Sequence, residues 1–407
     1  MKCRHCGTSL TRRFLDLGTA PPSNAYLDAA RLDQPEAWYP LRLLVCESCW
    51  LAQTEDFAGR EALFTDDYAY FSSFSTSWLA HAQRYVGDMI ERFDLGAGSC
   101  VAEVAANDGY LLQYVRQAGI PAYGVEPTAS TAAAARAKGI DIVPEFFGVA
   151  LAERLVAEGR SADLIAANNV LAHVPDINDF VAGFARLLKP GGVATFEFPH
   201  LVAMIRECQF DTVYHEHYSY LSLLAVERIF AANGLVVFDV QQLPTHGGSL
   251  RVFAQRSGGR HAATTGLVAL RKREADAGVA SGGFYAGFQQ AAETVKDELV
   301  RFLLDARRDG ALVAAYGAAA KGNTLLNFAG VRSDLVRYVV DRNPAKAGRF
   351  MPGSRIPIVA EARLHEDRPD LILILPWNLK DEVMAQLAYA REWGARFVVA
   401  VPSLRVA

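Results

Sequence analysis

No run of about 20 apolar residues occurs in the chain, so nothing in it reads as a membrane-spanning helix. Even the apolar stretch 371–376 is only strand-length. An excess of either charge is also lacking. Lys and Arg number 41 against 45 Asp and Glu, a formal net charge of −4, and no basic field argues for nucleic acid or a membrane surface. Cysteine is scarce, at six in 407 residues. The opening Met1-Lys2-Cys3-Arg4-His5-Cys6 has no apolar stretch behind its charges and does not read as a secretion signal. The thiols are therefore expected to be reduced or bound to metal rather than paired in disulfides, and the expected location is cytoplasmic. Internal repeats and low-complexity tracts are missing. What is abundant is apolar content, at 51%, beside 21% charged residues, as in a soluble globular protein. A single core seldom grows past roughly 250–300 residues, so 407 residues predict two or three domains.

Three textures follow one another. Residues 1–70 are loop-rich and hold four of the six cysteines. Residues 71–259 alternate short apolar runs with helical patterns and predict an α/β domain. Its expected strands are 100–104, 122–125, 164–167 and 193–198. An antiparallel pair, 235–241 and 249–255, closes it around Pro244-Thr245-His246-Gly247-Gly248. Residues 260–407 begin with helical patterns at 267–275 and 287–308. They continue as a smaller α/β unit with strands at 311–316, 336–340, 371–375 and 396–401.

Cys3-x-x-Cys6 and Cys46-x-x-Cys49 are two matched pairs. Thiolates at this spacing reach one ion from a tight turn, and two pairs fill a tetrahedral zinc site. With all four positions taken by protein, such a zinc is structural. The bland alternatives are a redox pair or free buried thiols, and Cys100 and Cys208 read as isolated core residues. A zinc module can bind nucleic acid, but no Lys/Arg cluster accompanies this one.

Strand 100–104 runs into Glu103-Val-Ala105-Ala-Asn107-Asp-Gly109-Tyr110, which opens a helix. In a doubly wound sheet, small residues here let backbone approach a ligand at the strand's C-terminal end. The next strand ends in Glu126-Pro127, and an acid at that tip can take both hydroxyls of a ribose. Asn168 and Asn169 end a third strand with amides facing the same crevice. Leu187-Leu-Lys-Pro-Gly-Gly192 turns into a fourth. In this order the four elements resemble the class I S-adenosylmethionine-dependent methyltransferase fold, a Rossmann-like α/β core, with Glu126 on the ribose. Ala105 and Asn107 stand at two small-residue positions of that fold's first loop, and only Gly109 remains glycine. The alternative is a Rossmann dehydrogenase, whose G-x-G-x-x-G fingerprint is absent here.

After the fourth strand come Glu197-Phe-Pro-His200 and Phe210-Asp-Thr-Val-Tyr214-His215-Glu216-His217-Tyr218-Ser-Tyr220. Such a density of ionisable side chains must be hydrogen-bonded or functional if buried. A neutral imidazole can act as base near physiological pH. The alternatives are metal binding, for which no further ligand cluster is apparent, and a structural aromatic loop. His215 and His217 share a face of an extended segment, so spacing does not say which would be the base. His81, His200 and His246 read as ordinary.

This stretch narrows the family. It is joined by the two CxxC pairs, Asp67-Tyr68-Ala-Tyr70-Phe-Ser-Ser-Phe-Ser, Asn168-Asn-Val-Leu-Ala-His173-Val and Tyr316-Gly-Ala-Ala-Ala-Lys321-Gly-Asn323-Thr. Together they resemble the bacterial deoxysugar C-methyltransferases, which contain zinc and act on nucleotide-bound 4-keto sugars for branched sugars of antibiotics or surface glycans. The resemblance spans essentially the whole chain. It implies His217 as general base, with Tyr214, Glu216, His173 and Tyr68 completing the site. It also implies S-adenosylmethionine and structural zinc as cofactors, and a keto-deoxysugar nucleotide as the partner. The chemistry is coherent: a C–H is acidic enough only beside a carbonyl. The base takes the C-3 proton, His173 or a tyrosine holds the enolate oxygen, and the carbanion takes the methyl group.

The sequence Tyr316-Gly317-Ala-Ala-Ala-Lys321-Gly-Asn323 follows a strand and starts a helix, where free N–H groups and Lys321 favour an anion. It is expected to hold the nucleotide diphosphate, with Tyr70, Ser249 and Arg251 on the substrate side. The plainer reading is a scaffold domain that keeps a Rossmann-like turn. A monomer without nucleic-acid or membrane partners is expected. Alternatives are a nicotinamide-dependent sugar oxidoreductase, a zinc-containing binding protein with an inactive core, and O- or N-methylation of a sugar.

Overall fold

A computed structural model describes residues 1–57 and 71–407. Three sheets organise them. The central sheet has seven strands. From edge to edge they are Leu235–Leu243, Ser249–Arg256, Leu188–Pro199, Ala162–Asn168, Val101–Val104, Ala122–Val125 and Asp141–Val143. The last five run parallel, and Ser249–Arg256 lies antiparallel against Leu188–Pro199, between it and Leu235–Leu243. Chain order reverses between Val101–Val104 and Ala162–Asn168. In an open α/β sheet the ligand crevice lies at such a switch point, outside the strands' C-terminal ends. Strands covered on both faces read as unbroken apolar runs. Val101–Val104 is wholly buried and breaks that rule once, at Glu103.

The third sheet orders its strands Ile358–Val359, Val339–Val340, Val313–Tyr316, Leu371–Ile374, Arg396–Val399 and Arg405–Val406. All are parallel except the last, which turns back antiparallel. Helix Phe288–Arg308 packs its buried stripe, including Ala292, Val295, Leu299 and Leu303, into the core shared with the first and third sheets. Among the described residues, no helix is long and apolar enough to cross a membrane.

The N-terminal region corrects the sequence expectation. Predicted as loop-rich, it forms an antiparallel sheet of Arg12–Ala20, Tyr39–Val45 and Ala52–Thr54. Leu15, Leu17, Leu41, Leu43 and Val45 supply the alternating buried positions that a strand needs. The fourth strand, Ser219–Tyr220, comes from the Tyr- and His-rich segment and pairs with Ala52 and Gln53. The short strands 141–143, 358–359 and 405–406 escaped prediction because two or three residues carry no periodicity. Cys208 is buried as expected, whereas Cys100 is only half-buried.

Candidate active site

Each CxxC pair sits in a tight turn closed by a left-handed residue. Gly7 (φ +74°) and Trp50 (φ +62°) hold these positions, their N–H groups bonding back to the carbonyls of Cys3 and Cys46. The four sulfurs of Cys3, Cys6, Cys46 and Cys49 lie within 4.8 Å of one another. Cys3–Cys49 and Cys6–Cys46 are both 3.5 Å apart. Tetrahedral zinc with Zn–S near 2.3 Å requires sulfurs about 3.8 Å apart, so the donor set fits one ion. Arg4, inside the first pair, anchors this centre. It donates to the carbonyls of Thr54 and Pro175, pairs with Asp56, and covers the Tyr218 ring.

At the switch point the first loop takes an unusual path. Ala105 (φ +61°) and Asn107 (φ +50°) adopt the left-handed region that favours glycine, as does Gly109 (φ +77°). The loop thus keeps a glycine-type path with only one glycine. A side chain at Gly109 would collide with Ile140. Glu126 locks the loop. Its carboxylate accepts from the Asn107 N–H and the Thr128 N–H, both at 2.9 Å. Burial raises the Glu126 pKa, and these amides partly offset it. Pro127 follows on the same turn. Tyr110 is buried and stacks with Trp78. The segment before helix Thr76–Phe93 caps the loop, with Ser72 N–H on Asn107 and Ser73 N–H on Asp108.

Among the described residues, one buried oxygen each of Asp108 and Asn169 has no donor, and the buried Glu103 carboxyl and Asn168 amide have only the Tyr110 hydroxyl beside them. Burial pushes Glu103 well above its usual pKa. Acceptors left unpaired in a crevice suit a ligand carrying N–H and O–H donors, as the ammonium and ribose of S-adenosylmethionine do.

The Tyr- and His-rich segment lies beside this crevice. His217 Nδ1 donates to the Thr212 carbonyl at 3.1 Å, and His173 Nδ1 donates to the Glu216 carbonyl at 2.8 Å. Both imidazoles therefore carry their lone pair on Nε2. The two rings meet edge to face with centroids 4.5 Å apart, and Tyr214 lies 4.0 Å from His217. Burial holds His173 at about 4 and His217 well below the usual imidazole range, the latter also disfavoured by His173. With Nε2 an acceptor, neutral His173 cannot donate to an enolate oxygen; Tyr214 and Tyr220 both carry hydroxyls in ring contact with His217, and Tyr220 turns its hydroxyl to the Thr212 carbonyl. His215 turns away. Its Nε2 faces the Pro40 carbonyl at 3.3 Å and its ring meets Tyr39. The Glu216 carboxylate also points to the N-terminal sheet, accepting from the N–H and side-chain amide of Asn24.

The C-terminal residues are arranged differently from their sequence setting. Lys321 donates to Asn378 at 2.9 Å and lies 4.6 Å from the Trp377 ring centroid. Burial lowers it to about 8, against the attraction of Asp211. Asp211, raised by burial to about 6, accepts from Trp377 Nε1 at 2.7 Å. Asn323 is buried with its side-chain NH₂ unpaired. Ser249 is held by its own turn, donating to the Thr245 carbonyl. Arg251 follows two residues along the same strand. It is buried in the central sheet, bonded to Glu197 (2.7 Å), Gln241 (3.0 Å) and His81 (3.1 Å). Burial would raise Glu197, but His81 and Arg251 bring it below its usual value. Tyr68 and Tyr70 lie outside the described residues. Asn24, Trp377, the role of Asp211 and the ties of His81 and Glu197 to Arg251 went unassigned in the sequence, since only the fold brings these partners together. His200, read as ordinary, forms a buried pair with Glu274.

This crevice on this sheet defines a class I S-adenosylmethionine-dependent methyltransferase. Comparison with known proteins places the chain more closely. Residues 3–64 match a family domain proposed to bind zinc, 78–240 a methyltransferase domain, and 244–402 the C-methyltransferase C-terminal domain. The C-methyltransferase NovU of Streptomyces niveus is 32% identical over 405 residues, covering 100% of this chain and 96% of its own length. The chain belongs to the C-methyltransferase family and is an S-adenosylmethionine-dependent enzyme with a structural zinc site. A ubiquinone biosynthesis O-methyltransferase of Bordetella avium is 30% identical over 101 residues, 24% of this chain and 42% of that protein. Among solved structures, magnesium protoporphyrin IX methyltransferase of Synechocystis with bound S-adenosylhomocysteine is 15% identical. Its TM-score is 0.35, over 44% of this chain and 83% of its own.

Proposed function

We propose that the enzyme methylates C-3 of a nucleotide-linked 4-keto-deoxysugar, with His217 as the base. The observation that carries this is the bond from His217 Nδ1 to Thr212, which fixes the tautomer with Nε2 as proton acceptor. Burial keeps that imidazole neutral, hence competent as a base, at ordinary pH. When bound, S-adenosylmethionine supplies an electrophilic methyl group. His217 removes the proton next to the ketone, and Tyr214 holds the oxygen on which charge develops. His173 packs against His217 and keeps its ring in place. Glu216 acts from behind, tying the segment to Asn24.

Tyr68 and Tyr70 belong to the same proposal as groups closing on the sugar. Ser249 and Arg251 act indirectly, through the turn and Glu197. Residues 260–407, with Lys321 and Asn323, hold the nucleotide part of the acceptor. Glu103, Ala105, Asn107, Gly109, Tyr110, Glu126, Pro127, Asn168 and Asn169 hold the cofactor. The chain works in the cytoplasm as a monomer. The test is a screen of nucleotide-linked 4-keto-6-deoxysugars with isotopically labelled cofactor, the product position being read by NMR. Label at C-3 is expected; label on oxygen or nitrogen contradicts the reading.

A further inference from the structure

The turn at 244–248 carries a side chain that the chemistry described so far leaves unused. His246 sits in the left-handed region at φ +54°, a conformation unfavourable for a residue with a Cβ. Glycine stands at the next two positions, yet not here. The turn is locked around this residue. The Gly248 N–H and the Ser249 hydroxyl both bond the Thr245 carbonyl at 2.9 Å, and the Thr245 hydroxyl donates to Glu197 at 3.0 Å. Gln209 donates to the Gly247 carbonyl, and a side chain at Gly247 would collide with Trp377. Backbone strain held in place by its surroundings clusters at active sites and ligand clamps. The His246 ring is half-buried and its Nδ1 is enclosed; among the described residues that nitrogen has no hydrogen-bond partner. A buried polar atom left unpaired is costly and calls for an explanation. Burial, and after it the Lys321 ammonium, lowers His246 to about 4, so the ring is neutral at ordinary pH.

Three parts of the site meet at His246. Its ring touches Trp78 edge to face, with centroids 5.2 Å apart, and Trp78 stacks on Tyr110 of the cofactor loop at 5.9 Å. Towards the base, Gln209 joins two turns. It donates to Gly247, and its own carbonyl accepts from the N–H and hydroxyl of Thr212, whose carbonyl holds His217. His246 is near enough to His217 to help disfavour a charge there. Towards the C-terminal unit, Trp377 closes on Gly247 and lies against the Lys321 ammonium. A neutral imidazole offers either an N–H or a lone pair at Nδ1, and a hydroxyl, which both donates and accepts, suits either tautomer.

We infer that His246 binds the methyl acceptor, its Nδ1 hydrogen-bonding a hydroxyl of the sugar ring and so holding that ring between the cofactor loop and His217. The inference rests on the keto-sugar reading above. The test is steady-state methylation by the zinc-loaded full chain, with the thymidine- and uridine-diphosphate 4-keto-6-deoxyglucoses as acceptors. His246→Asn removes the ring but keeps a residue type that tolerates the left-handed region. Its acceptor KM is expected to rise about three- to tenfold, the range for one hydrogen bond, with kcat held. His246→Gly should raise KM likewise, with a melting temperature at or above that of wild type, because glycine relieves the strain. Affinity for S-adenosylhomocysteine should stay at the wild-type value in both. Wild-type KM in both variants overturns the inference and leaves the substrate reading standing. A raised KM that comes with a lower melting temperature and weaker S-adenosylhomocysteine binding in both also overturns it, since that pattern belongs to a purely structural residue. No turnover of either sugar by wild type overturns the inference together with the substrate reading.

Discussion

The hydroxyl of Thr54 donates to the main-chain carbonyl of His217 at 3.0 Å, across 163 residues of sequence. Thr54 closes the short strand that follows the second zinc knuckle, and its N–H also bonds the Tyr218 carbonyl. Ser219–Tyr220 adds to the edge of that same strand. The zinc centre therefore braces the backbone that carries the proposed base, although no chemistry passes through the metal.

The first prediction follows from this brace. Cys46→Ser is expected to lower zinc content, and hydrogen exchange at residues 217–220 should quicken more than in the central strands. Removing a structural zinc loses folding free energy directly. Elemental analysis with peptide-resolved exchange checks this. Zinc-free protein with wild-type protection at 217–220 would contradict it.

Glu126 gives the second. Its carboxylate takes two loop amides and sits at the tip expected to meet the ribose. Glu126→Ala should weaken S-adenosylhomocysteine binding by about 1.5–3 kcal/mol, the range for hydrogen bonds to a charged group. Unchanged affinity in calorimetry would mean that the acid does not reach the cofactor.

Ala105 gives the third. A non-glycine residue in the left-handed region costs roughly 1–2 kcal/mol, and Ala105 sits there at φ +61°. Ala105→Gly relieves that strain but adds unfolded-chain entropy, so a net gain of up to about 1 kcal/mol is expected, with cofactor affinity retained. Chemical denaturation measures the first and calorimetry the second. Destabilisation by 1 kcal/mol or more would show that the backbone there is not strained.

The loop and the base show how far the sequence could be read. The strand tips bearing Glu103, Glu126 and Asn168 were legible because buried parallel strands are apolar runs, and acids or amides at their ends stand out. The cysteine pairs were legible from spacing alone. The sheet of residues 12–20, 39–45 and 52–54 was not, since its fourth strand lies about 165 residues further on. The tie from Asp211 to Trp377 likewise spans 166 residues. Arg251 shows the limit from the other side: beside a glycine turn it was expected on the substrate side, and the fold buries it against Glu197.

The pH dependence of stability gives the fourth prediction. Unfolded histidine titrates near ~6.5, whereas burial holds His173 at about 4 and His217 well below its usual value. Between these limits the unfolded chain binds more protons, so this contribution to stability is present above about 6.5 and lost as pH falls toward 4. Asp211, raised to about 6, acts in the opposite sense: its contribution is full below ~3.9 and lost as pH rises through about 6. His173→Gln should flatten the acid-side fall in melting temperature, and Asp211→Asn should steepen it. Identical profiles for all three proteins would contradict these assignments.

The central claim is that His217 takes the proton beside the ketone. It is tested most directly by deuterium wash-in from D₂O, with a nucleotide-linked 4-keto-6-deoxysugar and S-adenosylhomocysteine bound, so that no methyl transfer competes. Wild type should exchange the C-3 proton. His217→Asn should slow exchange by about 10²–10⁴-fold with both affinities retained, and Tyr214→Phe should slow it less. Exchange at the wild-type rate in the His217 variant, with loss in a His215 variant instead, would contradict the account.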